Sequence, residues 1–368
     1  MNSYKLKDLT TIYNGTTYAH LGIGDIPLYG SGGLMGYVDD ALYEGEAVLL
    51  PRKGTLNNIM YVCSKFWTVD TMYYAKTNDK LVLPYYLYCY LSLLDLAHLD
   101  SGSTLPSMTK AAYNDIEVHL PSIEVQAKIV AVTRSLDNKI ELNNRINAEL
   151  EAMAKTLYDY WFVQFDFPDA NGKPYKTAGG KMVYNETLKR EIPEGWSDGA
   201  IQDVIGKVPQ AHKVPAKEFE ENGAIPVIDQ SQKFICGFID DEKTKIKPIT
   251  AHVIFGDHTR AVKVVNFEYA RGADGTQILV ANRDDVPSYL LYQIVLDIDL
   301  SSYGYARHYK FLKDSKCVIP RASIAQRYQE MVKPWHEKVR ANIFQNYELQ
   351  RLRDWLLPML MNGQVTVK

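Results

Sequence analysis

Two stretches of this chain resemble each other at a constant separation of 199 positions. Residues 136–157 and residues 335–356 align without a gap, and the separation exceeds half of the 368 residues. A repeat at such a distance indicates two copies of one unit, each a globular part followed by a long helix. The aligned pairs include Lys139 with Lys338, Asn143 with Asn342, Leu150 with Leu349 and Leu157 with Leu356.

The globular parts repeat more faintly. IPLYGSGGLMGYVDD at 26–40 resembles IPVIDQSQKFICGFIDD at 225–241, and PYYLY at 84–88 resembles PSYLLY at 287–292. Short β-branched and aromatic runs separated by Gly, Asn and Asp are typical of short strands and turns. The chain is therefore predicted to be mixed α/β (α+β), with a buried helix that starts at Pro84. The predicted parts are a first globular domain at 1–118, a helix at 119–162, a crossing segment at 163–196, a second globular domain at 197–317 and a second helix at 318–368.

Both helices carry a heptad pattern. With Ile129, Leu136, Asn143, Leu150 and Leu157 at position a, position d holds Val132, Lys139, Ile146, Met153 and Tyr160. In the second copy, a is Tyr328, Trp335, Asn342, Leu349 and Leu356, and d is Met331, Lys338, Gln345, Leu352 and Met359. Such seams predict a coiled coil, although two amphipathic helices packed on separate cores would give a similar pattern.

Polar residues interrupt both seams at the same place. Lys139 and Lys338 fall at d, and Asn143 and Asn342 fall at the following a. A polar residue inside an apolar seam fixes register and orientation at some cost in stability. The repeated interruption favours the two helices as each other's partner, in an intramolecular antiparallel pair with pseudo-twofold symmetry.

Composition limits the possible functions. A chain with 46% hydrophobic and 23% charged residues is long enough for two globular cores. The formal net charge of −3 argues against tight, non-specific nucleic-acid binding by this chain alone. The four cysteines include no CxxC pair, which indicates reduced thiols rather than a zinc or disulfide framework. The first residues lack the apolar run of a signal peptide, so we expect a cytoplasmic protein.

The sequence gives only weak evidence of a catalytic motif. It contains no GxSxG, HExxH or GxxxxGK[ST] motif, and GSGG at 30–33 is better explained as a turn. The neighbouring residues Asp257 and His258 leave one alternative open, a stand-alone DNA nuclease or methyltransferase. A second alternative is a coiled-coil scaffold without any nucleic-acid role.

Polar and basic side chains concentrate in probable loops of both halves. Arg, Lys, Asn and Gln read base edges, whereas Lys, Ser, Thr and Tyr mostly bind phosphates. The candidates of the first half are Arg52, Lys53, Thr55, Asn57, Asn58, Thr109 and Lys110, with Ser103, Thr104 and Ser107 nearby. Those of the second half are His258, Thr259, Arg260, Lys263, Arg271, Arg307, His308, Tyr309 and Lys310. Solvent-exposed loops without a ligand would have the same composition.

Several longer strings resemble one known family. FGDHTR at 255–260, GADGTQIL at 272–279, YGYARHYKFLK at 303–313, YDYWFVQFDFPDANGKPYKTAGG at 158–180 and EIPEGW at 191–196 resemble the specificity subunits of type I restriction-modification systems. In the first half PRKGTLNN stands where FGDHTR stands in the second.

This resemblance implies a non-catalytic DNA reader. Each of the two globular domains would be a recognition domain that reads one half of a split target. The paired helices would set the spacer between the halves. The resemblance also implies two methyltransferase subunits and ATP-dependent restriction subunits as partners. Those partners, and not this chain, would bind S-adenosylmethionine, ATP and Mg²⁺, and no metal site is expected here.

Overall fold

The computed structural model describes residues 2–96, 106–273, 275–304 and 307–367. The chain forms two compact units, one made of Met1–Leu142 with Gln345–Lys368 and the other of Asn143–Phe344. Each unit therefore contains a globular part and one section of each long helix. Within the described ranges, no helix is both long and apolar enough to cross a bilayer.

The described residues of the first unit form ten strands and three short helices beside the long ones. The strands are β1 Asn2–Lys5, β2 Thr10–Asn14, β3 Ile26–Gly30, β4 Gly33–Val38, β5 Tyr43–Glu44, β6 Ala47–Pro51, β7 Met60–Val62, β8 Lys65–Thr68, β9 Met72–Thr77 and β10 Glu117–Leu120. The helices are α1 Leu6–Leu9, α2 Pro84–Ser92, α3 Lys110–Asn114 and α4 Ile123–Tyr158, of which the long α4 continues into the second unit. The helix predicted to start at Pro84 is thus present.

Two four-stranded sheets build the first globular part. One has the order β2-β9-β6-β7 and the other β4-β3-β8-β5, in which β3 and β8 run parallel. The strand β6 is buried along its whole length, because it lies inside its sheet and is covered by α2. A two-stranded ribbon of β1 and β10 leads into α4.

In the second unit, the residues that the structure describes form eleven strands and three short helices beside the long ones. The strands are β11 Met182–Asn185, β12 Arg190–Pro193, β13 Ser197–Ala200, β14 Ile225–Ile228, β15 Gly237–Ile239, β16 Lys245–Ile246, β17 His252–Gly256, β18 Val262–Val265, β19 Tyr269–Arg271, β20 Thr276–Val280 and β21 Lys316–Ile319. The helices are α5 Ile201–Val204, α6 Ser288–Asp297, α7 Tyr309–Asp314 and α8 Ala322–Met361. Short 3-10 turns lie at Ala216–Glu218, Glu242–Thr244 and Ser301–Tyr303.

The second globular part repeats the plan of the first. Its sheet β15-β14-β19-β16 again contains one parallel pair, β14 with β19, and its sheet β18-β17-β20 again centres on a fully buried strand. The strands β3 and β14 begin 199 residues apart, as do β10 and β21 and the helices α4 and α8. The duplication read from the sequence is therefore a duplication of topology.

The segment between α4 and β13 is packed, contrary to the prediction of a crossing segment without packed elements. A π-helical turn, Asp159–Val163, ends α4, and the hairpin of β11 and β12 follows. Phe167 stacks on Trp196 at 5.0 Å, and both rings are buried. Its Pro, Gly and Asn residues mark turns, whereas the aromatic residues between them enter the core of the second unit.

The long helices lie side by side in each unit. In the first unit, Arg353 of α8 donates to the Asp137 carboxylate of α4 at 2.7 Å. In the second, Asn342 Nδ2 donates to Asn147 Oδ1 at 2.8 Å, and Tyr328 OH donates to the Ala154 carbonyl at 3.1 Å. Because the residue numbers rise along α4 as they fall along α8, the two helices run antiparallel in the second unit.

The buried positions of α4 correct half of the predicted heptad. Predicted position a lies inward, and Asn143 is fully buried. Predicted position d does not: Lys139 is only half-buried, whereas Met153 and Tyr160 are exposed. The second line of the seam instead follows a by four residues, at Thr133, Ile140, Asn147 and Ala154.

Helix α8 shows the same one-residue displacement. Asn342 is buried at position a, but Lys338, Gln345 and Leu352 are exposed. The inward residues that follow a by four are Val332, Val339, Asn346, Arg353 and Leu360. Lys139 and Lys338 are thus not the polar interruption of the seam. Spacings of three and four are both compatible with a heptad, so the apolar pattern alone did not distinguish them.

Candidate nucleic-acid interface

In the second unit, Asp257 connects its own loop to two other predicted contact loops. It is buried at the end of β17, where its carboxylate accepts from Tyr309 N at 2.8 Å and its carbonyl accepts from His308 N at 2.9 Å. Its own N–H donates to Gly275 O at 2.7 Å. The loop 257–261, Gly275 and the segment 307–310 therefore meet at Asp257.

Gln230 connects the turn after β14 to the same place. Its Oε1 accepts from His258 N at 3.1 Å, and its carbonyl accepts from the Thr259 hydroxyl. Gln230 was not among the candidates from the sequence, because a lone Gln in a polar turn gives no periodic or motif signal. The turn it begins, residues 229–236, also exposes Gln232 and Lys233. These two side chains extend the surface formed by the predicted loops.

Four predicted residues of the second unit are exposed and available to a ligand: Thr259, Arg260, Arg307 and Lys310. Arg260 has φ +61, a left-handed conformation that closes a tight turn with Arg260 N donating to Gly256 O at 2.8 Å. The turn directs the chain back into β18. His258 and Tyr309 are half-buried at its side.

Two other predictions in this unit need correction. Lys263 is only 5% exposed, and its Nζ donates to the carbonyls of Asp229 and Lys233. Burial lowers the pKa of this amine. His308 is buried with its ring nitrogens 3.0 and 3.1 Å from the carbonyls of Asp257 and Gly304. Both residues support the loops and do not face a ligand.

Arg271 has a similar supporting part. Its Nε donates to Thr276 O at 2.8 Å, and its Nη2 donates to the same oxygen. Burial lowers the pKa of its guanidinium. Arg271 thus closes the loop from β19 to β20 instead of offering a free fork to a base.

In the first unit, the loop after β6 takes the place of 257–261. Its side chains Lys53, Thr55 and Asn57 are exposed. Asn58 donates from Nδ2 to Ser31 O at 2.9 Å, so this loop is tied to the turn between β3 and β4. The equivalent tie in the second unit runs through Gln230.

The other candidates of the first unit are partly committed. Arg52 donates to Asp70 O at 3.3 Å, Thr109 caps α3 by accepting from Ala112 N, and Lys110 donates to Ile12 O at 3.0 Å. Lys110 and Arg52 also lie 5.6 and 6.0 Å from the centre of the Tyr73 ring. Ser107 pairs with Lys53 in a short bridge, whereas Ser103 and Thr104 lie outside the described residues.

The alternative of a catalytic Asp257 and His258 pair finds no geometric support. The Asp257 carboxylate is buried and accepts from the Tyr309 backbone, which is a structural use of the group. Among residues 2–96, 106–273, 275–304 and 307–367, no three His, Cys, Asp or Glu side chains are grouped so that they could hold a metal ion.

Comparisons with known proteins agree with the resemblance. Residues 1–152 match the model of the type I restriction modification DNA specificity domain. The MjaIX specificity subunit of Methanocaldococcus jannaschii is 26% identical over 309 residues, 77% of this chain and 69% of that protein. The HindI specificity subunit of Haemophilus influenzae is 25% identical over 381 residues, 83% of this chain and 81% of that protein.

A solved structure shares the fold. The S subunit of a type I restriction-modification system from M. genitalium superposes with a TM-score of 0.56, at 13% identity, over 98% of this chain and 95% of that one. The resemblance first drawn from the loop strings is confirmed. The chain is similar to the specificity subunits of type I restriction-modification systems, and its residues 1–152 match the model of the DNA specificity domain.

Proposed function

We propose that this chain reads DNA sequence for a type I restriction-modification complex, with one half of a split target assigned to each globular part. The observation that supports this most is the repeated plan with unlike side chains. In both units a turn between two strands is hydrogen-bonded to a polar loop, through Asn58 in one and Gln230 in the other. Equal scaffolds with different exposed side chains suit two different half-sites.

Methylation and cleavage fall to partner subunits in this proposal. The methyltransferase subunits would bind S-adenosylmethionine, and the restriction subunits would bind ATP and Mg²⁺. With a net charge of −3, this chain would leave much of the phosphate contact to its partners and contribute base contacts itself.

Two methyltransferase subunits would dock on repeated apolar side chains of the long helices. We call the exposed residues Met153 and Tyr160, and at the same offset Leu352 with its neighbour Trp355, the outer stripes. The predicted heptad placed Met153, Tyr160 and Leu352 in the seam, whereas Trp355 lies outside it. Exposed apolar groups at helical spacing are typical of a surface that binds a partner helix. The repeat of an exposed apolar residue at Met153 and Leu352, 199 positions apart, suits two copies of one partner.

Mapping methylated adenines in cells with and without the gene tests the function directly. We expect a split motif that is methylated only when the gene is present. Exchanging residues 1–115 for the corresponding part of a relative should then alter one half of the motif and leave the other half unchanged. The proposal would be contradicted if no motif lost its methylation in cells without the gene, or if the exchange altered both halves of the motif.

The antiparallel helices would set the spacer between the halves. Inserting a matched stretch of equal length in α4 and α8 should lengthen the spacer while both half-sites stay the same. A fixed spacer after such an insertion would remove the helices from this role.

A further inference from the structure

The hairpin of β3 and β4 exposes apolar side chains to an unusual degree. Leu34 and Met35 are 52% and 53% exposed, and Tyr37 is also exposed. They lie on β4, which is an edge strand of its sheet. An edge strand usually carries charged residues that prevent association with other chains, but residues 26–38 include none.

A β-bulge brings two of these side chains to the surface together. Leu28 pairs with Gly36 and Tyr29 pairs with Leu34, so Met35 is an extra residue in β4. A bulge changes the direction of the side chains around it. Leu34 and Met35 are consecutive and both exposed, which a regular strand on a buried sheet face would not allow.

This hairpin is part of the same surface as the polar loop after β6. Asn58 in that loop donates to Ser31 O at the hairpin turn. A Cβ on Gly54, which has φ +89, would lie 3.0 Å from the Ser31 hydroxyl. The apolar hairpin therefore continues directly into the loop that exposes Lys53 and Asn57.

The equivalent hairpin of the second unit has the opposite chemistry. Between β14 and β15 the chain reads Asp229, Gln230, Ser231, Gln232, Lys233 and Phe234, and Gln232 and Lys233 are exposed. Gln230 joins this turn to the loop 257–261. One structural element thus meets the polar loop in both units, but its exposed residues are apolar in the first unit and polar in the second.

We propose that the β3–β4 hairpin is a second reading element of the first unit, in which Leu34 and Met35 contact the methyl group of a thymine in the major groove. This inference rests on the proposed function. The thymine methyl is the apolar feature that a base pair presents in the major groove, and apolar side chains recognise it. An uncharged hairpin next to Lys53 approaches the phosphates without repulsion. Gly32 and Gly33 leave open space around the turn, where an added Cβ would meet no atom within 4 Å.

The test replaces thymine by deoxyuridine, which lacks only that methyl group. The full-length chain is purified with its partner subunits and bound to duplexes that carry the mapped motif, with one thymine changed at a time. We expect one deoxyuridine in the first half-site to weaken binding about fourfold, the effect of one lost methyl contact. The double variant Leu34→Ala/Met35→Ala should bind the unmodified duplex more weakly and no longer distinguish the two bases.

Two further variants complete the design. Met35→Gln keeps the length of the side chain but removes its apolar character, so it should lose the same discrimination without any loss of melting temperature. Ile249→Ala removes a fully exposed apolar residue of the second unit and should behave as the wild type. Deoxyuridine in the second half-site should affect all four proteins equally.

The outcomes separate this inference from the proposed function. Motif-specific binding that is indifferent to every deoxyuridine would refute the hairpin contact and leave the function standing. Undiminished discrimination by the double variant would also refute it. A double variant that no longer co-purifies with the partner subunits but keeps its base preference would refute it as well, because the hairpin would then contact a protein. Absence of any motif-specific binding would refute the function itself.

Discussion

Single residues of one chemical type have opposite uses in this protein. Lys310 and Lys263 both lie in loops or strands that the sequence marks as basic, but Lys310 is exposed and Lys263 is buried against backbone carbonyls. The difference arises because the turn after β14 folds over β18, which residue type does not reveal. The candidates that remain for direct contact in the second unit are Thr259, Arg260, Arg307 and Lys310.

Arg260→Ala should weaken binding to the mapped duplex. If the guanidinium makes a bidentate contact to a base, about 1 to 3 kcal/mol is lost and one position of the second half-site is relaxed. A phosphate contact would instead lower affinity for all sequences and flatten the salt dependence. Binding of wild-type strength would exclude Arg260, and Arg283→Ala, at an exposed arginine paired with Asp285, serves as the control.

Lys263→Met should lower stability and leave base preference unchanged. The variant leaves the carbonyls of Asp229 and Lys233 without their donor, and hydrogen bonds to a charged group contribute about 1.5 to 3 kcal/mol. Chemical denaturation measures this loss. Lys310→Met is the matched control, for which we expect normal stability and weaker DNA binding. A destabilised Lys310→Met beside a normal Lys263→Met would reverse the assignment.

At the scale of elements, a pair of side-chain amides interrupts the apolar seam between the long helices. The apolar residues around the pair would be buried without it. Asn342 donates to Asn147, and Asn342 Oδ1 is buried without a hydrogen-bond partner within the described part of the chain. Such a pair lowers stability but penalises other registers, because a shifted helix would bury both amides opposite apolar groups. A fixed register is what a spacer-setting element requires.

Asn147→Leu/Asn342→Leu should therefore be more stable than either single variant. Each single change leaves one amide of the seam without its partner, whereas the double change replaces the pair by apolar packing. Thermal melting of the four proteins gives the coupling between the two sites. In cells, the complex that contains the double variant should also methylate motifs with a second spacer length. Additive changes in stability would argue against a coupled pair.

Trp355→Ala should reduce association with the methyltransferase subunits. Trp355 is 64% exposed on α8 within the first unit, and a large aromatic residue at the centre of an interface typically contributes 2 kcal/mol or about 30-fold in affinity. Co-purification and methylation in cells measure the effect. Tyr184→Ala, at a residue of the β11–β12 hairpin that is 57% exposed, should leave association intact. Equal effects of the two variants would contradict a specific outer stripe.

At the scale of the whole molecule, the second unit buries two neutral histidines. His252 lies 3.0 Å from the Tyr269 hydroxyl, and His336 stacks on Tyr289 at 4.3 Å. Burial lowers the pKa of both imidazoles to about 4. A histidine kept neutral in the folded state favours unfolding at low pH, because the unfolded chain takes up the proton at its ordinary pKa of about 6.5.

The stability of the second unit should therefore fall as the pH decreases from about 6.5 toward 4. Each histidine contributes about 2 kcal/mol to the loss at pH 5. Melting curves between pH 7.5 and pH 5 test this, and His336→Phe, which keeps a ring on Tyr289, should remove about half of the pH slope. An equal pH slope in His336→Phe and wild type would show that burial does not keep the imidazole of His336 neutral.

The sequence by itself determined the duplication, the long helices and the loops that carry the contact residues. These follow from local patterns: the 199-residue repeat, the heptads, and turns rich in Gly, Asn and Arg. The loop strings also indicated a resemblance to specificity subunits, and the comparisons confirmed that resemblance.

Only the tertiary structure decided which line of each helix faces inward and which basic residues are free. Met153 and Leu352 satisfy a heptad as well as Ala154 and Arg353 do, and the partner helix selects between them. Likewise Lys263 and His308 resemble contact residues until distant segments place carbonyl oxygens around them. Burial and hydrogen bonding between residues far apart in the chain depend on the fold, and a local pattern does not contain them.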